Sequence, residues 1–235
     1  MKLSKSQVEK ICEDYSLGKL KSYKLSPHGY VNYSFIIKTD ERGFVAQFFK
    51  HSHTKWKRKR LNLELEVLNY LKKKKFPYAI PQPIKTKRGS YFSHSNKKLI
   101  WVYPLIEGNI VKSFTKKQFQ EFAKVVALYH KYISPLGTKG DDDFINFDWL
   151  LDKFDNLKKI KSKKKIDKLM LENIDYFQDI VRKLKKINYG KMILTHSDFS
   201  ESNTILKNGK IIGIIDFDNI KAAPIANDLA ISITR

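Results

Sequence analysis

Residues 190–217 constrain the fold most, because short apolar strands alternate there with polar residues. Segments 204–206 and 211–215 are strongly apolar, and the turn 207–210 between them contains Asn-Gly. That dipeptide suits a tight two-residue turn, so the pattern predicts a β-hairpin. The outer ends of a hairpin lie side by side, and the polar residues next to those ends are therefore brought together.

Three of these polar residues have the chemistry of phosphoryl transfer. Asp198 lies in a loop before the hairpin, Asn203 begins its first strand, and Asp216 ends its second strand. Phosphoryl transfer requires a carboxylate near the attacking hydroxyl and oxygen ligands for Mg²⁺, which bridges the nucleotide phosphates. We therefore expect these three side chains to converge on one site, against the alternative of a hairpin with chance acidic residues.

The order and spacing of the residues resemble a known family. Residues 196–203 read HSDFSESN, residues 214–218 read IIDFD, and Asp228-Leu229-Ala230 follows. They resemble the signature of the aminoglycoside phosphotransferase, choline kinase and homoserine kinase superfamily: His-Gly-Asp, four residues, Asn, then Ile-Asp-Phe/Trp, and finally Asp-Leu-Ala. The resemblance implies an α+β, two-lobed, protein-kinase-like fold with a small β-rich N-terminal lobe (1–106) and a helical C-terminal lobe (107–235) that carries the catalytic hairpin.

The resemblance also implies a role for each matching residue. Asp198 would be the catalytic base of an ATP-dependent phosphotransferase, and Asn203 and Asp216 would bind Mg²⁺. His196 and Asp228 would support the loop. The residues implied for ATP binding are Gly29 and Asn32 in a covering turn, Gln47 on the third strand, Glu64 on the next helix, and Tyr103 and Leu105 at the hinge, through their backbone. Glu66 is the competing candidate for the helix glutamate.

Gln47 departs from the family pattern, which usually has Lys or Arg at this place. A glutamine can hydrogen-bond a phosphate but supplies no charge. Strand alternation puts Lys50 on the opposite face from Gln47. Three explanations stay open: the strand register slips, another lysine such as Lys38 substitutes, or nucleotide binding is weak.

Two further departures concern the end of the chain. Residues 222–224 read Ala-Ala-Pro where the family often has Gly-Asp-Pro, which favours the homoserine kinase-like branch. The chain stops at Arg235, soon after Asp228-Leu229-Ala230, whereas relatives usually continue with helices that help form the acceptor pocket. We therefore expect a truncated helical lobe, which leaves open whether the chain completes the reaction.

The remaining elements follow from periodicity and turn residues. Apolar spacing predicts helices over 4–15, 60–72, 147–160 and 166–184, and a helix that begins at a capping box formed by Thr115 and Gln118. Strands are expected at 23–25, 33–38, 44–49, near 90–92 and at 99–105. The three prolines in 77–83 require an extended segment.

Composition bounds the function classes. The net charge is +22, with lysine tracts at 72–75 and 161–165, and it indicates either a solvated basic surface or a non-specific polyanion site. Nucleic acid is not the expected partner, because no recognition motif accompanies the charge. The only cysteine, Cys12, cannot form an internal disulfide, and neither a signal peptide nor an 18-residue apolar span is present. A cytoplasmic protein that does not enter a membrane is expected.

The sequence therefore predicts a small-molecule kinase acting on a hydroxyl of an amino alcohol, a sugar or an aminoglycoside. Its alternative is a degenerate kinase-like module that binds a nucleotide or a partner. The acceptor and the oligomeric state are left open.

Overall fold

A five-stranded antiparallel sheet dominates the first part of the computed structural model, which describes residues 1–26, 32–50, 54–95, 97–138, 145–162 and 164–234. Its strands are β1 (Leu20–Leu25), β2 (Tyr33–Thr39), β3 (Gly43–Phe48), β4 (Ser93–Ser95) and β5 (Lys98–Pro104). Their order is β1-β2-β3-β5-β4, and each neighbouring pair is antiparallel.

Two helices cover this sheet. Helix α1 (Lys5–Asp14) begins at a capping box between Ser4 and Gln7 and packs on one face, where it buries Phe35, Ile37, Phe44 and Phe48 among others. Helix α2 (Lys55–Lys73) packs with the residues that point to the opposite face, such as Trp101. The sheet thus separates two apolar cores.

The second part of the chain is mainly helical. Its elements are α3 (Lys116–Ile133), α4 (Phe147–Lys158), α5 (Lys165–Glu172), α6 (Ile174–Lys185), β6 (Met192–Thr195), β7 (Thr204–Lys207), β8 (Lys210–Ile214), β9 (Lys221–Pro224) and α7 (Ile225–Thr234). Strands β7 and β8 form the predicted hairpin, and β6 pairs with β9. A β-rich first part followed by a helical second part confirms the α+β class.

The hairpin is bonded to two segments that precede α3, one at Ala79 and one at Asn109. The amide of Ala79 donates to the carbonyl of Ile212 at 2.8 Å, and the amides and carbonyls of Asn109 and Leu206 exchange two bonds of 2.8 and 2.9 Å. The backbone approaches closely at Gly108, where an added Cβ would lie 2.5 Å from the Leu206 carbonyl oxygen. These contacts attach the hairpin to the segments that follow α2 and β5.

Several element boundaries differ from the sequence expectation. Helix α2 begins at Lys55 rather than at residue 60, because the Thr54 side chain accepts a bond from the Lys57 amide at 3.2 Å and caps it there. The helix expected over 166–184 is two helices, parted at Asn173. The strand expected near 90–92 lies at Ser93–Ser95, and β9 was not predicted because its residues have little strand propensity.

No helix in the part of the chain that the structure describes is long and apolar enough to cross a membrane.

The close approach at Gly108 generates a stability prediction. In Gly108→Ala the new methyl group would meet the Leu206 carbonyl oxygen and the Ile205 side chain, so we expect a loss of about 1–3 kcal/mol in the free energy of unfolding. Urea denaturation measures this, with Glu107→Ala, at the exposed preceding residue, as the matched control. An unchanged midpoint in Gly108→Ala would show that the backbones do not approach as described.

Candidate active site

The loop between β6 and β7 is held by one buried carboxylate. Asp228, at the first turn of α7, is fully buried and accepts bonds from the amides of His196 at 3.1 Å and Ser197 at 2.6 Å. Its Oδ2 also lies 2.8 Å from Nε2 of His130 on α3. Asp228 therefore fixes the backbone immediately before Asp198, which is the supporting role expected for it.

Ser197 occupies a backbone conformation that favours glycine. Its φ of 61° lies in the left-handed region, where a side chain costs about 1–2 kcal/mol. The Ser197 hydroxyl bonds to Thr195 Oγ1 at 2.8 Å and accepts from Asn227 Nδ2 at 3.1 Å, which offsets part of that strain. The left-handed backbone explains why the His-Gly-Asp signature has glycine at this position. In this chain serine occupies the position, and its side-chain hydrogen bonds stabilise the same conformation.

His196 is a structural residue of this loop. Its ring is fully buried, stacks on Phe199 at 4.4 Å and meets the edge of Phe217 at 4.6 Å. Burial lowers the pKa of the imidazole, so the ring is neutral near pH 7, and its Nε2 lies 3.2 Å from the carbonyl oxygen of Ile215, to which the N–H donates. His196 therefore joins the loop to the end of β8.

The three residues expected to converge do lie together. The amide group of Asn203 donates to the carbonyl oxygen of Asp198 at 2.8 Å, and the Asn203 carbonyl accepts from the Ile215 amide at 2.9 Å, next to Asp216. Asn219 donates to Oδ2 of Asp198 at 3.2 Å. Because Nδ2 of Asn203 is used in this way, its Oδ1 is the atom left to bind a cation.

Asp216 and Asp218 form an acidic pair at the mouth of the cleft. Asp216 has a left-handed backbone, with φ at 66°. Part of the Asp216 surface is open to solvent, but protein atoms surround its carboxyl group closely. This crowding, together with the charges of Asp218 and Asp198, raises the pKa of Asp216 to about 7, and the charge of Lys57 opposes the rise. Carboxylates forced together in this way suit a divalent cation with oxygen ligands such as Mg²⁺.

Glu64 and Tyr103 face the same acidic pair from the sheet side. Glu64 is buried on α2, and burial raises its pKa well above the usual range, with Asp218 and Asp216 adding to the shift and Lys57 and Arg60 opposing it. Tyr103, at the end of β5, has its pKa raised by burial and then by the charges of Asp216 and Glu64. Of the two glutamates on α2 that were candidates, Glu64 is therefore the one in the cleft.

The other residues expected to bind the nucleotide are distributed around the cleft. Asn32 donates to Oδ2 of Asp218 at 3.4 Å and accepts from the Lys50 amide at 3.4 Å. The amide N–H of Leu105 donates to the carbonyl of Gly43 at 2.9 Å. Of the backbone groups of Leu105, only the carbonyl group is therefore left for the expected contact with adenine. Gly29 lies outside the described residues.

Gln47 is in the strand register that the sequence predicts. It pairs with Ser34 and Trp101, and its Oε1 accepts a bond of 2.8 Å from Trp101 Nε1. Lys50 points to the opposite face, where its Nζ lies 4.6 Å from the ring centre of Tyr33. Lys38 is exposed and pairs with Gly43, four residues along β2 from Ser34, or ~13 Å at the usual rise per residue. Register slippage and substitution by Lys38 are therefore both excluded.

Two cations near the site were missed from the sequence. Lys57 is buried and Arg60 donates to the carbonyl oxygen of Asp218 at 2.8 Å. The available signal was their spacing of seven and four residues before Glu64, which places residues on one helix face. For Lys57 this signal was hidden, because the helix was expected to begin only at residue 60.

Comparisons with known proteins identify the family and the fold. A sequence model described as "Phosphotransferase enzyme family" matches residues 22–235. A search of the curated proteins finds no match.

Solved structures share the fold over almost the whole chain. A spectinomycin phosphotransferase in complex with ADP and spectinomycin is 18% identical, with a TM-score of 0.69, and the match covers 97% of this chain and 73% of that one. An amicoumacin kinase in complex with AMP-PNP and Ca²⁺ is 15% identical, with a TM-score of 0.70 and coverages of 98% and 69%. An aminoglycoside phosphotransferase from Alicyclobacillus acidocaldarius is 15% identical, with a TM-score of 0.65 and coverages of 98% and 70%. The expected kinase-like fold is thereby confirmed, whereas the homoserine kinase-like branch is not.

The role of Asp228 generates the first prediction for the site. Asp228→Ala removes a buried acceptor of three bonds, and we expect it to lower the free energy of unfolding by about 3 kcal/mol or more. Chemical denaturation measures the loss. The exposed Asp179, replaced by alanine in the same way, should leave the midpoint nearly unchanged. Equal stability of the two variants would contradict the bracing role.

The left-handed backbone of Ser197 leads to a second prediction about stability. Ser197→Gly relieves the left-handed strain but loses two side-chain bonds, so we expect a net change of about 1 kcal/mol or less. Ser197→Val keeps the strain, adds a branched side chain and loses the same bonds, and should destabilise the fold by about 2 kcal/mol or more. Thermal unfolding of both variants measures the difference, and a valine variant as stable as the glycine variant would rule out a left-handed residue here.

Proposed function

The chain belongs to the phosphotransferase enzyme family, and we propose that it transfers the γ-phosphate of ATP to a hydroxyl group of a small molecule. The observation that carries the proposal is the convergence of Asp198, Asn203 and Asp216 at the ends of one hairpin. Those three side chains are the carboxylate and the oxygen ligands that phosphoryl transfer requires.

In this proposal Asp198 faces the acceptor. Asn219 donates a hydrogen bond to Oδ2 of Asp198. The hydrogen bonds from the amides of residues 196 and 197 to Asp228 fix the direction of the loop. A carboxylate oriented in this way accepts or directs the proton of the attacking hydroxyl as the bond to phosphorus forms. The neutral, buried His196 takes no part in proton transfer and only supports the backbone.

Asn203 and Asp216 are the proposed ligands of Mg²⁺, with Asp218 beside them. The fit rests on the donor set, because one amide oxygen and two carboxylates are hard oxygen ligands, and on the raised pKa of Asp216, which shows that its negative charge lacks compensation. When bound, Mg²⁺ would neutralise charge on the nucleotide phosphates.

We propose that ATP occupies the cleft between two lobes, 1–106 and 107–235. Asn32, Gln47, Glu64, Tyr103 and Leu105 are the proposed nucleotide-binding residues, together with Gly29. Support comes from the positions of Glu64 and Tyr103 beside Asp216, and from two of the similar structures, which hold ADP and AMP-PNP. The proposed location of the reaction is the cytoplasm.

The proposed acceptor is an amino alcohol, a sugar or an aminoglycoside. Of the similar proteins, one was solved with spectinomycin and one with gentamicin, which shows what those enzymes bind. The homoserine kinase-like branch, favoured by Ala222-Ala223-Pro224, belongs to the proposal as one acceptor class to test.

Replacement of Asp198 tests the proposal. Asp198→Asn keeps the shape and removes the basic oxygen, so we expect phosphate transfer to fall by about 10²–10⁴-fold with the affinity for Mg²⁺ and ATP largely retained. ATP consumption is measured over a panel of amino alcohols, choline, sugars and aminoglycosides, and calorimetry measures nucleotide binding.

Glu201→Gln is the matched control, because it removes a carboxylate from the same loop without touching the proposed base. Its activity should stay within about threefold of the wild type. Tight nucleotide binding without turnover of any alcohol in the panel would favour a degenerate, binding-only module. Absence of nucleotide binding, with salt-sensitive binding of polyanions instead, would favour the basic surface as the functional feature.

A further inference from the structure

The cleft is neutral at the place where the family usually carries a cation. Gln47 lies on the side of β3 that faces the cleft, and the Trp101 indole holds its Oε1. Burial and then the charge of Asp218 raise the pKa of both Glu64 and Asp216, and negative charge is therefore concentrated here. Nucleotide phosphates entering this environment require a cation besides the metal.

Lys57 is a buried lysine that contacts the same aromatic cluster as Gln47. Only 7% of its surface is exposed, and its Nζ lies 5.8 Å from the ring centre of Phe49. The Phe49 ring packs edge-on against Trp101 at 5.0 Å, and Trp101 bonds to Gln47. The ammonium group of Lys57 is therefore connected to the Gln47 position by two packed aromatic rings.

The start of α2 fixes the direction of the Lys57 side chain. Lys57, Leu61 and Glu64 are spaced by four and three residues, so they share one helix face, and all three are buried. One turn after Lys57, the bond from Arg60 to the Asp218 carbonyl attaches the helix to the acidic pair. The helix face that carries Lys57 thus points toward the carboxylates.

The charge of Lys57 acts on the site, although within the described residues its ammonium contacts only the Phe49 ring. It opposes the rise in the pKa of both Glu64 and Asp216. Within the described ranges, the ammonium forms no hydrogen bond and no ion pair within 4 Å. Lysine is seldom buried unless it is paired, so a buried ammonium beside the cleft is suited to an anionic ligand.

We propose that Lys57 supplies the positive charge that binds the nucleotide phosphates, in place of a lysine at Gln47. The inference rests on the proposed function, since it concerns the nucleotide of that reaction. In this inference the cation comes from the first turn of α2 instead of the third strand. It lies on the same helix face as Glu64. Lys38 and Lys50 cannot serve, because one is remote along β2 and the other lies on the opposite face of the sheet.

Nucleotide binding measured by calorimetry tests the inference. Mg²⁺–ATP and adenosine are titrated into the wild type, Lys57→Met and Lys55→Met, an exposed lysine on the same turn that loses the same charge. We expect Lys57→Met to weaken ATP binding at least tenfold and adenosine binding less than twofold, because only ATP carries phosphates. Lys55→Met should bind both like the wild type.

A second variant tests the relocation of the charge. Lys57→Met/Gln47→Lys returns a cation to the strand position, and we expect it to recover most of the lost ATP affinity. Methionine is close to lysine in volume, and thermal unfolding of each variant verifies that it is folded.

The outcomes separate the two proposals. If the wild type binds no Mg²⁺–ATP, the proposed function fails, and the inference fails with it. If the wild type binds ATP and Lys57→Met binds it equally well, the inference alone is overturned. Equal weakening of ATP and adenosine would also overturn it, since that result indicates a structural role for Lys57 rather than a contact with phosphate.

Discussion

The buried carboxylate of Asp228 is the interaction on which the rest of the site depends. It accepts bonds from two successive backbone amides and from His130, and thereby links α7, α3 and the loop that presents Asp198. A carboxylate withdrawn from water is retained only where hydrogen bonds replace the lost solvation. The same bonds that stabilise Asp228 therefore determine the direction of the proposed base.

A second constraint is the crowding of negative charge in the cleft. Burial and then the charge of Asp218 raise the pKa of both Glu64 and Asp216, which is unfavourable for the folded chain without ligands. Active sites commonly contain such clusters because the ligand relieves the repulsion. Lys57 and Arg60 offset only part of it, and in the proposed reaction Mg²⁺ would supply the remainder.

The sequence was most informative where chemistry and local geometry coincide. The hairpin turn and the two apolar strands brought Asp198, Asn203 and Asp216 together as expected, because pairing within a hairpin is local. Boundaries set by side-chain caps or long-range pairing were missed, as at Thr54 and in β9. Propensity alone does not reveal a strand that exists only because β6 lies beside it.

The sequence by itself determined the class of fold, the hairpin and which polar side chains meet at its ends, since these follow from short-range patterns and a specific motif. It left open how the cleft compensates for the neutral Gln47. Only the tertiary structure decided which lysines of the sheet could compensate, because it fixed the register of β3 and excluded Lys38 and Lys50. The cation that we propose instead, Lys57, lies ten residues after Gln47 on α2, which is bonded to the acidic pair through Arg60. The sequence could not indicate it, because electrostatic interactions depend on distance in space rather than in sequence.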